Sequence, residues 1–304
     1  MKISVLQQRP RYGYNQLTET PSLEYLNEQI ALTLEDTFAM LDEAGVRGSD
    51  LAVTIEGVNM HVMWADMRWP YPELYEGLDG PLVARFAEYA RKWKMHIVAG
   101  LYLTIDGKTY NCAVLFDDDG EIVGIHKKVH LPAGEEYQVT HGDRFEVFDT
   151  KLGKIAMQVC WDMQFPESAR IQALQGAELI ALPTWGWESI YGLSRAYENS
   201  ITLAVAMGID SWSGLPEEND PSCIVDHKGR VVASGDRESS MVVTCDIDIH
   251  AEPSPQYGSQ NYINSQSMRK TRFLQRRPGC YGLLDRPLEE TPLYKRYFSD
   301  KSEE

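Results

Sequence analysis

A chain of 304 residues with 45 acidic against 29 basic side chains carries a formal charge of −16 at pH 7. Such a surface repels phosphate backbones and anionic membranes, so neither nucleic acid nor membrane is an expected partner. Hydrophobic residues at 43% and charged residues at 24% exclude a disordered chain and describe a soluble globular protein with a sizeable core, for which one large α/β domain is long enough.

The opening residues MKISVLQQ have strand character, and PRYGYNQLTETPS after them reads as a loop. From Leu23 to Glu43, apolar residues recur at Leu26, Ile30, Leu32, Leu34, Phe38 and Leu41 between charged ones, the pattern of an amphipathic helix that stops before Gly45. GSDLAVTIEGV is an apolar, β-branched run ending at Glu56, and it predicts a buried strand with a carboxylate at its end. Burial there disfavours the ionised form, which makes Glu56 a candidate proton acceptor near neutral pH; its ordinary role is a hydrogen-bonded strand end.

MHVMWADMRWPYPELYEG, rich in aromatic residues and proline, predicts a long loop lining a pocket. Glu73 within it reads as a solvated rival to Glu56. A second helix, GPLVARFAEYARKWKM, leads to the strand HIVAGLYLTI, and TYNCAVLFDDDGEIVGIHKK forms a hairpin about its DDDG turn. Strand alternation sends Lys127 and Lys128 to opposite faces, so one is solvated while the other reaches inward, where it would favour a thiolate or bond to an oxyanion. The bland alternative is a doubly basic solvated turn. Glu135 and Glu136 follow in the loop KVHLPAGEEYQVTHGD, where each would ordinarily be a surface charge.

RFEVFDTKLGKIAMQV is another hairpin, and it delivers Cys160 to a strand-to-helix corner before Pro166 opens the helix PESARIQALQ, closed by Gly176. A thiol held at such a corner faces backbone N–H groups able to receive a developing negative charge, although a cysteine taken alone more often just fills space. ELIALPTWGW runs into an aromatic loop, SIYGLSRAYENSITLAVAMG supplies one more helix and strand, and PSCIVDHKGRVVASGDRESSMVVTCDIDI gives three more strands. Residues 251–304 are looser and are expected to contribute subunit contacts to a single domain spanning 1–304, with its core over about residues 1–250.

The five cysteines, Cys112, Cys160, Cys223, Cys245 and Cys280, are scattered and form no CxxC pair, and none of the seven histidines has a partner at metal-ligand spacing. No metal is expected. MKISVLQQRP lacks the apolar stretch of a signal peptide and no later run is long enough to span a bilayer, so the expected compartment is the cytoplasm.

Taken in order, the strand ending at Glu56, KK-V-HLP with GEE, VCWDMQFPESAR, SRAYENSITLAVA and SCIVDHKGRVVA resemble the nitrilase, or carbon–nitrogen hydrolase, superfamily. The resemblance covers the chain to about Asp248, and RRPGCYGLL matches a late family segment more loosely. It implies a four-layer α-β-β-α sandwich, usually assembled into homodimers or higher homo-oligomers, with no cofactor. It also implies a Glu-Lys-Cys triad at Glu56, Lys128 and Cys160, with Cys160 the nucleophile and Glu56 the general base. A second glutamate falls on Glu135, with Glu136 its rival, and the backbone N–H of Trp161 completes an oxyanion site with Lys128.

The chain lacks the paired arginines that follow the nucleophile in carbamoyl amino-acid hydrolases. It also carries Asp162, Met163 and Phe165-Pro166 where nitrilases proper continue with Glu, Asn and Met-Pro. The expected substrate is therefore a small amide or carbamoyl compound, with a nitrile as the alternative, and a non-catalytic scaffold or an acyl transferase as further readings. Trp64, Trp69, Trp185 and Trp187 are the candidate aromatic lining of the substrate pocket.

Overall fold

The computed structural model describes residues 1–11, 22–60, 75–209, 215–251 and 267–298. Apolar alternation along its strands is what builds the layers. In the strand His96–Ile105 (β3), Ile97, Ala99 and Leu101 face one core while Val98 faces another, the two-sided burial expected of an inner strand.

Two six-stranded sheets result. The first has the order β12-β1-β2-β3-β4-β5, built from Lys2–Gln7 (β1), Leu51–Val53 (β2), β3, Lys108–Phe116 (β4), Ile122–Lys127 (β5) and Met241–Asp246 (β12). The second has the order β11-β10-β9-β8-β7-β6, built from Val147–Thr150 (β6), Gly153–Met157 (β7), Leu179–Thr184 (β8), Thr202–Met207 (β9), Cys223–Val225 (β10) and Val231–Ser234 (β11). Each sheet has a parallel centre, β1-β2-β3 in one and β7-β8-β9 in the other, flanked by antiparallel strands.

The inner core lies between the sheets, where Ile3, Val5, Val53 and Val98 meet Ile155, Met157, Leu179 and Ala204. Helices Leu23–Val46 (α1) and Pro81–Trp93 (α2) cover the outer face of the first sheet through Phe38, Leu41, Phe86 and Ala90. Helices Pro166–Leu174 (α3) and Ser189–Asn199 (α4) cover the second through Ala169 and Ala196. The architecture is thus the expected α-β-β-α sandwich.

Two local expectations differ. Helix α1 runs through Gly45 to Val46, its end held by the Arg47 N–H on the Glu43 carbonyl. Strand β2 is only three residues long, so Glu56 stands beyond it on an irregular stretch pinned to β3 by Thr54 N–H to Val98 O (2.9 Å) and Val58 N–H to Gly100 O (3.0 Å).

By its internal contacts the chain divides into two compact units, Met1–Pro253 and Ser254–Glu304. The second carries the short helices Met268–Leu274 (α5) and Pro292–Phe298 (α6). It leaves Phe273, Leu274, Leu284, Leu288 and Leu293 exposed. Among the described residues no helix is long and apolar enough to cross a membrane.

Candidate active site

Glu56 owes its position to Gly100. A Cβ on Gly100 would lie 2.3 Å from the Ile55 carbonyl oxygen and 2.9 Å from both the Glu56 Cα and the Pro183 Cβ, so only glycine lets this stretch lie against β3 and β8. The Glu56 carboxylate, 1% exposed, is then gripped from three elements. Oε1 accepts from Lys128 Nζ (2.8 Å) and Asn111 Nδ2 (2.7 Å), and Oε2 accepts from the Trp185 backbone N–H (3.0 Å). The Trp185 indole N–H also donates to the Glu56 carbonyl (2.8 Å).

Lys128 follows β5. Its N–H donates to the Asn111 carbonyl (2.9 Å), and its own carbonyl accepts from Gly142 N–H (2.7 Å). Alternation separates the two lysines as anticipated: Lys128 is fully buried, whereas Lys127 lays its ammonium 4.0 Å over the Tyr110 ring. Lys128 Nζ bridges Glu56 Oε1 and Glu135 Oε2 (2.7 Å). Burial opposes the ammonium charge, but Glu56, the Cys160 sulfur and Glu135 outweigh it and hold Lys128 well above its ordinary value. Two carboxylates accept from two of its three N–H donors, and the third has no acceptor among the described residues.

Glu135 and Glu136 sit in a single 3-10 turn, Glu135–Tyr137, in which neighbouring side chains diverge by about 120° and only one can face inward. Glu135 does: it is 7% exposed, and Oε1 accepts from Asn111 Nδ2 (2.7 Å) and from the Tyr102 hydroxyl (3.2 Å). Burial and the facing Glu56 raise its pKa, against the pull of Lys128 and Asn111. Glu136 is exposed and accepts from the Gly134 N–H instead, with no bond to Lys128 or Asn111 among the described residues.

Cys160 opens the 3-10 turn Cys160–Gln164 with φ +46, a left-handed conformation that costs a non-glycine residue roughly 1–3 kcal/mol and marks a position held by its surroundings. The thiol is 7% exposed. Burial and the negative Glu56 push it up to about 12, while Lys128, the Trp185 backbone and the Thr184 side chain pull the other way. Burial thus favours the protonated thiol.

Among the proposed binding residues, Trp161 is 40% exposed, and its backbone N–H has no acceptor among the described residues. Trp185 is half-buried and belongs to the Glu56 support. Trp187 does not line the site. Two residues on from Trp185, it is fully buried in the core between the second sheet and α4, edge-on to Tyr191 at 5.6 Å. Trp64, Trp69 and Glu73 lie outside the described residues.

A cavity of about 420 Å³ lined by Lys108, Tyr110, Lys127, His141 and Arg144 opens beside Lys127, and none of Glu56, Lys128, Glu135 or Cys160 lines it. Among the described residues no three His, Cys, Asp or Glu side chains gather as metal ligands. Sequence reading missed Asn111, whose amide nitrogen joins Glu56 to Glu135, and Tyr102 beside it. An asparagine inside the apolar run TYNCAVLF was the available signal.

A thiol, a carboxylate and a buried ammonium, placed just past strands of two facing sheets, fit a cysteine hydrolase of the amidase type. Residues 13–252 match the carbon-nitrogen hydrolase family, and the chain belongs to it, on the amidase-like branch of the nitrilase superfamily. It is an enzyme acting on carbon–nitrogen bonds other than peptide bonds. A citrullinase of Francisella tularensis subsp. tularensis is 27% identical over 244 residues, 73% of this chain and 85% of that protein. An N-carbamoylputrescine amidase of Arabidopsis thaliana is 29% identical over 229 residues, 67% of this chain and 73% of that one. Among solved structures, an amidase from Nesterenkonia sp. AN1 with the acetamide moiety of fluoroacetamide on its active-site cysteine matches with a TM-score of 0.70. It is 20% identical, over 93% of this chain and 96% of that one.

Proposed function

We propose that the protein hydrolyses a small amide or N-carbamoyl compound to an acid plus ammonia or an amine, through a thioester on Cys160. The observation that carries this reading is Lys128 held between Glu56 and Glu135: a buried cation supported on two sides, with one N–H left over, is a preorganised site for negative charge. The relatives support this substrate class, since one is a citrullinase and another an N-carbamoylputrescine amidase. The acetamide moiety carried by the active-site cysteine of the Nesterenkonia amidase supports a nucleophilic thiol.

In this mechanism Glu56 removes the Cys160 proton as sulfur attacks the carbonyl carbon. The carbonyl π electrons move onto oxygen, which is received by the remaining Lys128 N–H and the Trp161 N–H. Collapse of the tetrahedral species breaks the carbon–nitrogen bond, and the leaving nitrogen takes its proton from Glu56. Water then gives a proton to Glu56 and attacks the thioester. Collapse releases the acid and a sulfur that Glu56 reprotonates. Glu135 keeps Lys128 charged and aimed, and no cofactor enters. The five unpaired thiols suit a reducing, cytoplasmic compartment.

Ammonia release from a panel of amides, ureas and nitriles tests the reading. Turnover of amides or carbamoyl compounds, abolished in Cys160→Ala, is the expected result, with a substrate adduct on the Cys160 peptide by mass spectrometry. Undiminished turnover by that variant, or release from nitriles alone, overturns it.

A further inference from the structure

We propose that Asp162 is a positioning residue that locks the turn bearing Cys160 to the strand end bearing Lys128. The two side chains come from different sheets, Lys128 after β5 of the first and Cys160 after β7 of the second. No strand ladder joins β5 to β7, and apolar packing between sheets does not by itself fix their sliding to the fraction of an ångström that proton exchange demands.

Asp162 supplies directed bonds across that gap. Its carboxylate is fully buried. Oδ1 accepts from Val129 N–H (3.1 Å), His130 N–H (2.9 Å) and His130 Nδ1 (3.1 Å). Oδ2 accepts from His126 Nε2 (2.8 Å) and Val159 N–H (3.2 Å). The donors bracket Lys128 on both sides, at 126 and at 129–130, and the fifth immediately precedes Cys160. An ionised carboxylate only accepts, so each histidine nitrogen that meets it carries the hydrogen. Burial disfavours that ionised state, but the bonds from His126 and His130 outweigh it and hold Asp162 well below the usual carboxylate range. The His130 ring also stacks on Phe165 at 3.7 Å between centroids and 11° between planes, and Phe165 is the residue from which α3 starts. The clamp thus runs from β5 through Asp162 to the helix behind the nucleophile.

Asparagine has one acceptor oxygen where Asp162 uses two, so Asp162→Asn turns an NH₂ toward N–H donors and opens one side of the clamp. The inference rests on the cysteine mechanism proposed above. The test uses the full chain, with circular dichroism to establish folding, steady-state kinetics on whichever amide or carbamoyl substrate is turned over, and iodoacetamide alkylation mapped by peptide. Folded Asp162→Asn is expected to lose kcat by about 100-fold with KM nearly unchanged. Its Cys160 alkylation falls about tenfold in mildly alkaline buffer, because Lys128 no longer stabilises the thiolate. The exposed Cys280 serves as the unchanged internal reference.

A merely structural role gives the opposite alkylation result, since a loosened site exposes the sulfur and speeds its reaction. Faster alkylation of Cys160, or native kcat, overturns the proposal. If Asp162→Asn fails to fold, His130 decides. His130→Ala should lower kcat about tenfold and His130→Asn, which keeps a donor near Nδ1, should restore it; two variants with native kcat overturn the proposal. Cys160→Ala separates the two levels: an active Cys160→Ala sinks the mechanism, whereas an inactive one beside a native-like Asp162→Asn sinks the clamp alone.

Discussion

Lys128 is the residue on which both the stability and the chemistry of the site turn. It has no exposure to water, and its removal leaves Glu56 and Glu135 facing each other in a buried space, with Asn111 still donating to both. Breaking such an ion pair by deleting one partner costs roughly 3–5 kcal/mol, more than most core truncations of similar volume. Lys128→Met should therefore unfold at lower urea concentration by that amount and lose at least about a hundredfold in kcat. The sign of the pH effect follows from which state binds the proton. In the variant, Glu135 keeps the burial and the facing Glu56 that raise its pKa and loses the Lys128 charge that lowers it, so the folded form holds a proton that the unfolded chain has released. Stability is then fully present below the unfolded pKa and is lost as pH rises through the folded one. Urea titrations of Lys128→Met should show a smaller deficit at about pH 5 than at about pH 8, and a deficit that grew on acidification would contradict the charge argument.

Among the elements, the decisive one is the stretch that carries Glu56 past the end of β2 and against β3. Its approach to Gly100 leaves no room for a methyl group, because the atom in the way is the Ile55 backbone oxygen rather than the tip of a flexible side chain. Gly100→Ala is accordingly an overpacking change, for which a cost of about 1–3 kcal/mol is typical. It also displaces the backbone that carries Glu56. A lowered melting temperature together with a fall in kcat larger than in any binding constant is the expected pair of results. Unchanged kcat in Gly100→Ala would show that Glu56 is placed by its side-chain hydrogen bonds alone.

At the scale of the whole molecule, the two sheets are joined by apolar side chains in the middle and by a few polar links at the ends of their strands, and the site lies among those links. The Ser254–Glu304 unit is the part with least core of its own. Its described helices are seven residues each, and large apolar side chains such as Leu284 and Leu288 are 67% and 71% exposed. A surface of that kind is matched by a protein partner more readily than by water. We expect light scattering to give a mass that is a multiple of the 34.5 kDa chain, and Leu284→Glu with Leu288→Glu to shift it toward a single chain. A single-chain mass for the unaltered protein would refute the assembly.

Much of this protein was legible before any coordinates. Polar groups following apolar, β-rich runs singled out Glu56, Lys128 and Cys160, although Glu56 stands beyond its strand rather than at its end, and the motifs around them pointed to the family and its sandwich. Periodicity reports which face of an element is buried, and that is a local property. It does not say which of two adjacent, chemically equal side chains turns inward: the resemblance put the second glutamate on Glu135 with Glu136 as rival, and it is Glu135 that the 3-10 turn buries against the Lys128 ammonium. Nor did spacing separate Trp185, which donates to Glu56, from Trp187, which fills the core behind it. Asn111 was not singled out, and Asp162 was noted only as a departure from the nitrilase pattern, because the partners of both lie on other elements. A hydrogen bond across two sheets depends on how those sheets settle against each other, and only the tertiary structure decides that.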